Sequence, residues 1–151
     1  MLDKRAFLRI REGGFAYLLT AGQAVSIERR NRGSFDLAGD GRSLQVGWQV
    51  NEGDRVPVVR LGVMLGTAIG DWQYAILLSD GAERVAVAAE HVYLIPEQER
   101  PRIQAFNPPG SVMPGGSVIT GVCPFTEPEY LVLDTSRLQR CLLQASGRQE
   151  S

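Results

Sequence analysis

Few residues in this sequence are equipped for chemistry: His91, the carboxylate Glu90 beside it, Cys123 and Cys141. A lone imidazole next to a carboxylate suggests acid–base work. Consecutive residues of a strand point to opposite faces, however, and neither a positioned nucleophile nor a charge stabiliser accompanies the pair. Cys123 precedes Pro124, has no histidine nearby in sequence, and carries no feature that would lower a thiol pKa. The cysteines form no CxxC arrangement, and one histidine with two distant cysteines cannot build a conventional zinc site. No metal and no other cofactor is expected, and in a reducing compartment both thiols read as free and buried or half-buried. The glycine-rich segments GDGRS and PPGSVMPGGS lack the GxxxxGK[ST] pattern of a phosphate loop and open no strong helix. A small β-barrel enzyme or ligand-binding domain using His91 and a carboxylate stands as the alternative to a protein without catalysis.

Charge narrows the partners. A formal net charge of -1 argues against nucleic acid, which needs a concentrated positive surface. Without a basic stripe, Trp48, Trp72 and Tyr74 read as core or interface anchors rather than platforms for bases. The first 34 residues nevertheless hold seven basic and three acidic side chains, against nine basic and fourteen acidic in the remainder. Within them Arg29, Arg30 and Arg32 either solvate a loop or contact acidic residues on a partner.

The elements that must position these residues are short. At 151 residues, with 44% hydrophobic and 22% charged side chains and a mean hydropathy of -0.09, the chain suits one soluble domain over 1–151. No apolar run approaches the ~18 residues of a membrane span, and the opening MLDKRAFLRIREGG does not resemble a signal peptide, so a cytoplasmic location is expected. Apolar runs separated by Gly, Asp, Asn and Pro predict strands over 6–11, 15–19, 26–30, 44–49, 55–59, 74–78, 84–89, 92–95, 118–122 and 130–133. A helical turn is expected within 20–25, an exposed loop over 31–42, and a short helical turn over 61–65 closed by Gly66. Pro57 restricts its strand to an edge or a bulge. Five prolines mark a long connection over 96–117, and Asp134 or Thr135 could cap a closing helix before a frayed tail at 146–151. The hairpins AFLRIREGGFAYLL and YAILLSDGAERVAVAAEHV repeat one pattern, so two related β halves meeting near 66–72 are expected. The fold class is mainly β, a barrel or sandwich with one convincing helix.

The order of motifs resembles the CheW-like domain, the coupling module of bacterial chemosensory arrays. FAYLLTAGQAV resembles that family's first hairpin strand and following turn, and Gly47, Gly53 and VPVVRLGVMLG resemble its glycine-bearing turn and central strand. ERVAVAAEHV resembles a strand of the second half, and TGVC with YLVLDTSRL resembles the closing pair. The resemblance implies two small five-stranded β-barrels around a shared core, with a short C-terminal helix. It implies a non-enzymatic adaptor whose groove holds the cytoplasmic tip of a chemoreceptor (a methyl-accepting chemotaxis protein), while barrel surfaces meet a CheA-type histidine kinase or other CheW-like proteins. A gliding-motility array of the Frizzy type is one setting for it. Carried over position by position, the partner-binding residues are Gly22, Val25, Gly47, Glu52, Gly53, Val56, Arg60 and Tyr74. The sequence departs from the family at three of them: Gly22 replaces a small aliphatic, Glu52 an arginine, and Arg60 an aspartate. Reversed charges at Glu52 and Arg60 imply weakened or lost kinase coupling, since like charges oppose association.

Overall fold

The computed structural model describes residues 6–20, 24–38, 43–51, 53–67, 69–79, 83–99, 101–105, 118–124 and 129–141. Among the described residues, twelve strands fall in two sheets. The first half of the chain supplies β1 (Phe7–Glu12), β2 (Phe15–Thr20), β3 (Ala24–Arg29), β4 (Phe35–Leu37), β5 (Gln45–Asn51), β6 (Asp54–Arg60) and the helical turn α1 (Leu61–Leu65). The second half repeats the order with β7 (Tyr74–Ser79), β8 (Arg84–Ala89), β9 (His91–Ile95), β10 (Gln104–Ala105), β11 (Ile119–Cys123), β12 (Tyr130–Leu133) and α2 over 135–141.

Each sheet is assembled from both halves. The first runs β10-β11-β12-β2-β1-β9 and the second β3-β7-β8-β6-β5-β4. In each, an antiparallel hairpin from one half joins three strands of the other through a parallel pair, β2 with β12 and β8 with β6. Five strands plus a short sixth, β10 or β4, make up each sheet.

Period-two patterning makes both faces of these sheets apolar. Leu8, Ile10, Tyr17 and Leu19 of the first sheet meet Val59, Ile76, Leu78, Val85 and Val87 of the second in one shared core. The alternate residues turn the other way. Ala16, Leu18, Cys123, Tyr130 and Val132 form a second cluster, and Val46, Val58, Trp72, Ala75, Leu77 and Ala86 a third, so each sheet curls around its own small core as well. The fold is therefore the expected mainly β arrangement of two subdomains about a common core, closed by a short helix.

The predicted strands and both hairpins are present, with local differences. Ala24 and Val25 belong to β3 rather than to a helical turn, residues 21–23 of that turn lying outside the described residues. The segment expected as loop contains β4, because Phe35 packs edge-on against Trp72 at 5.3 Å between centroids and anchors it to the second sheet. Pro57 sits in an interior strand, yet β8 joins β6 only from Val58 onward, so no ladder bond is demanded of Pro57 on that side. Gly66 closes α1 at φ 72°, and the Asp134 carboxylate accepts the Arg137 N–H at 3.0 Å as the cap of α2.

Candidate docking groove

The strand exchange brings two edge strands to one flank of the molecule. β9 ends the first sheet and β3 the second. Both border the shared core, against which Val92 and Ile27 pack half-buried and Ala24 fully buried. On the same two strands Leu94 and Val25 remain 46% exposed each.

Glu90 shapes the end of this groove. It occupies the bend where the chain leaves β8 in one sheet to enter β9 in the other, its N–H bonded to the Arg11 carbonyl at 2.8 Å. Its carboxylate accepts the Gly13 N–H and fills the space over Gly70. Because of the bend, Glu90 and His91 do not point to opposite faces as expected of one strand. They line one cavity of ≈ 260 Å³ together with Arg29, Asn31, Gln73 and Tyr74. His91 also lines a depression of ≈ 190 Å³ with Arg9, Arg11 and Tyr93. Arg9 is held there between the rings of Tyr93 and Tyr130, at 4.5 and 5.5 Å, and donates to the Tyr130 hydroxyl at 2.7 Å.

Beneath the groove lies a buried ionic cluster. Leu8, Ile10 and Glu12 share the inward face of β1, so the strand pattern carries a carboxylate into the core, where it is only 2% exposed. Glu12 Oε1 accepts the Gly62 N–H at 2.7 Å in the first turn of α1, and Oε2 faces Arg60 Nη1 at 3.9 Å. Arg60, 6% exposed, donates from the same Nη1 to the Gly70 carbonyl at 2.8 Å. Burial pushes the Glu12 carboxyl above the ordinary range despite the help of the Gly62 N–H and Arg60, and the charge of Glu90 adds to the rise. Burial likewise raises Tyr17, whose hydroxyl shares a 2.6 Å hydrogen bond with Thr67, and the thiol of Cys123, which suits a packing residue rather than a nucleophile.

The sequence-predicted site residues do not all gather here. Val25 stands on the groove rim, and Tyr74 lines the cavity opposite Arg29 across the β3–β7 ladder. Val56 is buried in the core of the second sheet. Gly47 lies against β4, where a Cβ would collide with the Asp36 carbonyl oxygen, and Gly53 takes φ 90° in the β5–β6 turn. Arg60 faces inward to Glu12 rather than outward. Gly22 and Glu52 lie outside the described residues. Arg9, Arg11, His91 and Tyr93 sit on the outer face of the first sheet and Leu94, opposite Leu8, on the face toward the shared core; none of the five was among the partner-binding residues expected from the sequence. Their signal lay in the pairing of β1 with β9, a contact between residues some eighty positions apart.

Among the described residues, no group of three or more His, Cys, Asp or Glu is placed to hold a metal, and no helix is long and apolar enough to cross a membrane. Two sheets exchanging strands around a common core define a class of β proteins built from two intertwined halves. Among solved structures the chain is similar to the scaffolding protein TtCheW from Thermoanaerobacter tengcongensis, with a TM-score of 0.64 and 13% sequence identity over 87% of this chain and 89% of that one. The likeness shows the fold. No family model matches the chain, and no curated protein matches it.

Proposed function

We propose that the chain is a non-enzymatic, cytoplasmic scaffold of a bacterial chemosensory array, holding the helical tip of a chemoreceptor and coupling weakly or not at all to the CheA-type kinase. The observation that carries this reading is the pair of edge strands β3 and β9, which expose Val25 and Leu94 and contribute Arg29 and His91 to a ≈ 260 Å³ cavity. Exposed apolar residues on two edge strands suit an amphipathic helix laid across them, as in helix-in-groove recognition. The fold shared with a scaffolding protein supports the same reading. Gly47, Gly53 and Val56 lie on or between β5 and β6, away from β3, and stand with Gly22 and Glu52 as further candidate contacts. The proposed loss of kinase coupling rests on Glu52, since the second reversed charge, Arg60, is neutralised inside the chain by Glu12.

Pull-down with a purified receptor signalling tip and with the regulatory domain of the kinase tests this. The receptor tip is expected to bind, Val25→Asp and Leu94→Asp to weaken it at least about tenfold at unchanged near-UV circular dichroism, and the kinase domain to bind weakly or not at all. Tight kinase binding with none to the receptor overturns the proposal.

A further inference from the structure

We infer that the groove selects an acidic helix: the docked segment presents carboxylates to Arg11, Arg29 and Arg32. This rests on the docking reading above and adds the chemistry of the occupant.

The chain as a whole is slightly acidic, with a net charge of -1. The groove is not. A depression of ≈ 280 Å³ lined by Ile27, Glu28, Arg29 and Arg32 shares Arg29 with the central cavity, and the central cavity shares His91 with the depression holding Arg9 and Arg11. The three hollows thus adjoin through shared side chains, with Arg29 and His91 at the joins. Their acidic groups are Glu28 and Glu90, against Arg9, Arg11, Arg29 and Arg32, and Glu90 accepts the Gly13 N–H.

The other arginines nearby have internal partners. Arg9 is clasped by two tyrosines, and Arg30 stacks on Trp72 at 4.5 Å and reaches Asp71 at 3.4 Å. Arg11, Arg29 and Arg32 differ: they are exposed and, among the described residues, none makes an ion pair. Strand register explains why. Arg11 stands opposite Ala16 on one side and His91 on the other, and Arg29 opposite Tyr74, so no carboxylate faces either across its ladder. Guanidinium groups match carboxylates in bidentate geometry, and a helix flank spaced at i and i+4 offers carboxylates in a row. A nucleic acid fits less well, since the residues after 34 carry fourteen acidic against nine basic side chains and would repel a polyanion.

The test uses two synthetic helical peptides with the same Leu/Val stripe, one flanked by Glu at i and i+4 and the other by Lys, titrated against the full chain by fluorescence anisotropy. At about 50 mM salt the Glu peptide should bind at least about tenfold more tightly, and the gap should shrink at about 300 mM. The triple variant Arg11→Glu, Arg29→Glu, Arg32→Glu should reverse the preference, and the milder Arg→Gln triple should abolish it, with circular dichroism confirming the fold. Equal affinities, binding of neither peptide, a preference retained in the triple variant, or displacement of the Glu peptide by duplex DNA through the same arginines would each overturn the inference. Leu94→Asp separates the two readings. A charge preference that persists while Leu94→Asp affects neither peptide leaves the acidic selectivity standing and removes the apolar docking groove.

Discussion

Arg60→Asp tests whether the arginine belongs to the interior. In the fold, the introduced carboxylate would face that of Glu12, from which Arg60 Nη1 now stands 3.9 Å. At an effective dielectric of about 20, the attraction lost at that separation is about 4 kcal/mol. The 2.8 Å bond from Arg60 to the Gly70 carbonyl goes too, another ~1.5–3 kcal/mol for a charged donor. Proton uptake by one of the two facing carboxyls returns part of this, so the net loss should be about 3–5 kcal/mol, the range for breaking a buried pair. For a chain of this length that lowers Tm by roughly 10 °C or more. Thermal and urea unfolding measure it, and a double-mutant cycle with Arg60→Met and Glu12→Gln should return a coupling of at least about 1 kcal/mol. A Tm change within about 2 °C would refute the argument, because exposed substitutions are the ones that cost so little.

Three further outcomes follow from the structure. Gly47→Ala should destabilise the chain by about 2 kcal/mol or more and loosen β4 from β5, read as faster amide exchange at Phe35 to Leu37, since its Cβ would collide with the Asp36 carbonyl oxygen at φ 153°. Burial holds Glu12 above its ordinary pKa, so the folded chain takes up this proton more readily than the unfolded chain; the stabilisation is complete below about pH 4.3 and is lost as pH rises through the raised folded value. The urea midpoint of Glu12→Gln should therefore gain on that of the wild type between about pH 4 and pH 8, and a constant difference would contradict the assignment. Leu138→Ala, at a fully buried position where α2 meets the shared core, should cost about 2–5 kcal/mol in urea unfolding.

Much of the fold was legible because strand pairing within hairpins is local. Val85, Val87 and Ala89 alternate with Ala86 and Ala88, and the structure places the two sets in different cores. The same alternation holds Glu12 inward after Leu8 and Ile10, which marks a buried carboxylate in need of a donor. Its partner Arg60 could not be read, since the two are 48 positions apart and meet only after β1 and β6 enter different sheets. Val25 and Tyr74 were singled out by motif, whereas the place of β9 depends on the β1–β9 ladder, which no local pattern announces. β4 was missed for a similar reason. Its three residues have little propensity of their own and are held by the contact of Phe35 with Trp72.

The exchange of strands between halves also governs how the chain can reach its native state. The hairpin β1–β2 is complete only when β12 and β9 arrive from far along the chain, and β7–β8 needs β6 and β3 from before it. Neither half can bury its apolar faces alone, so the last strand to emerge during synthesis must dock before the first sheet can close. Such high contact order predicts slow folding, on the scale of milliseconds to seconds. It also predicts that residues 1–67 and 68–151, produced separately, are individually unstructured yet reconstitute the fold when mixed, making the molecule an obligate mutual template of its own two repeats.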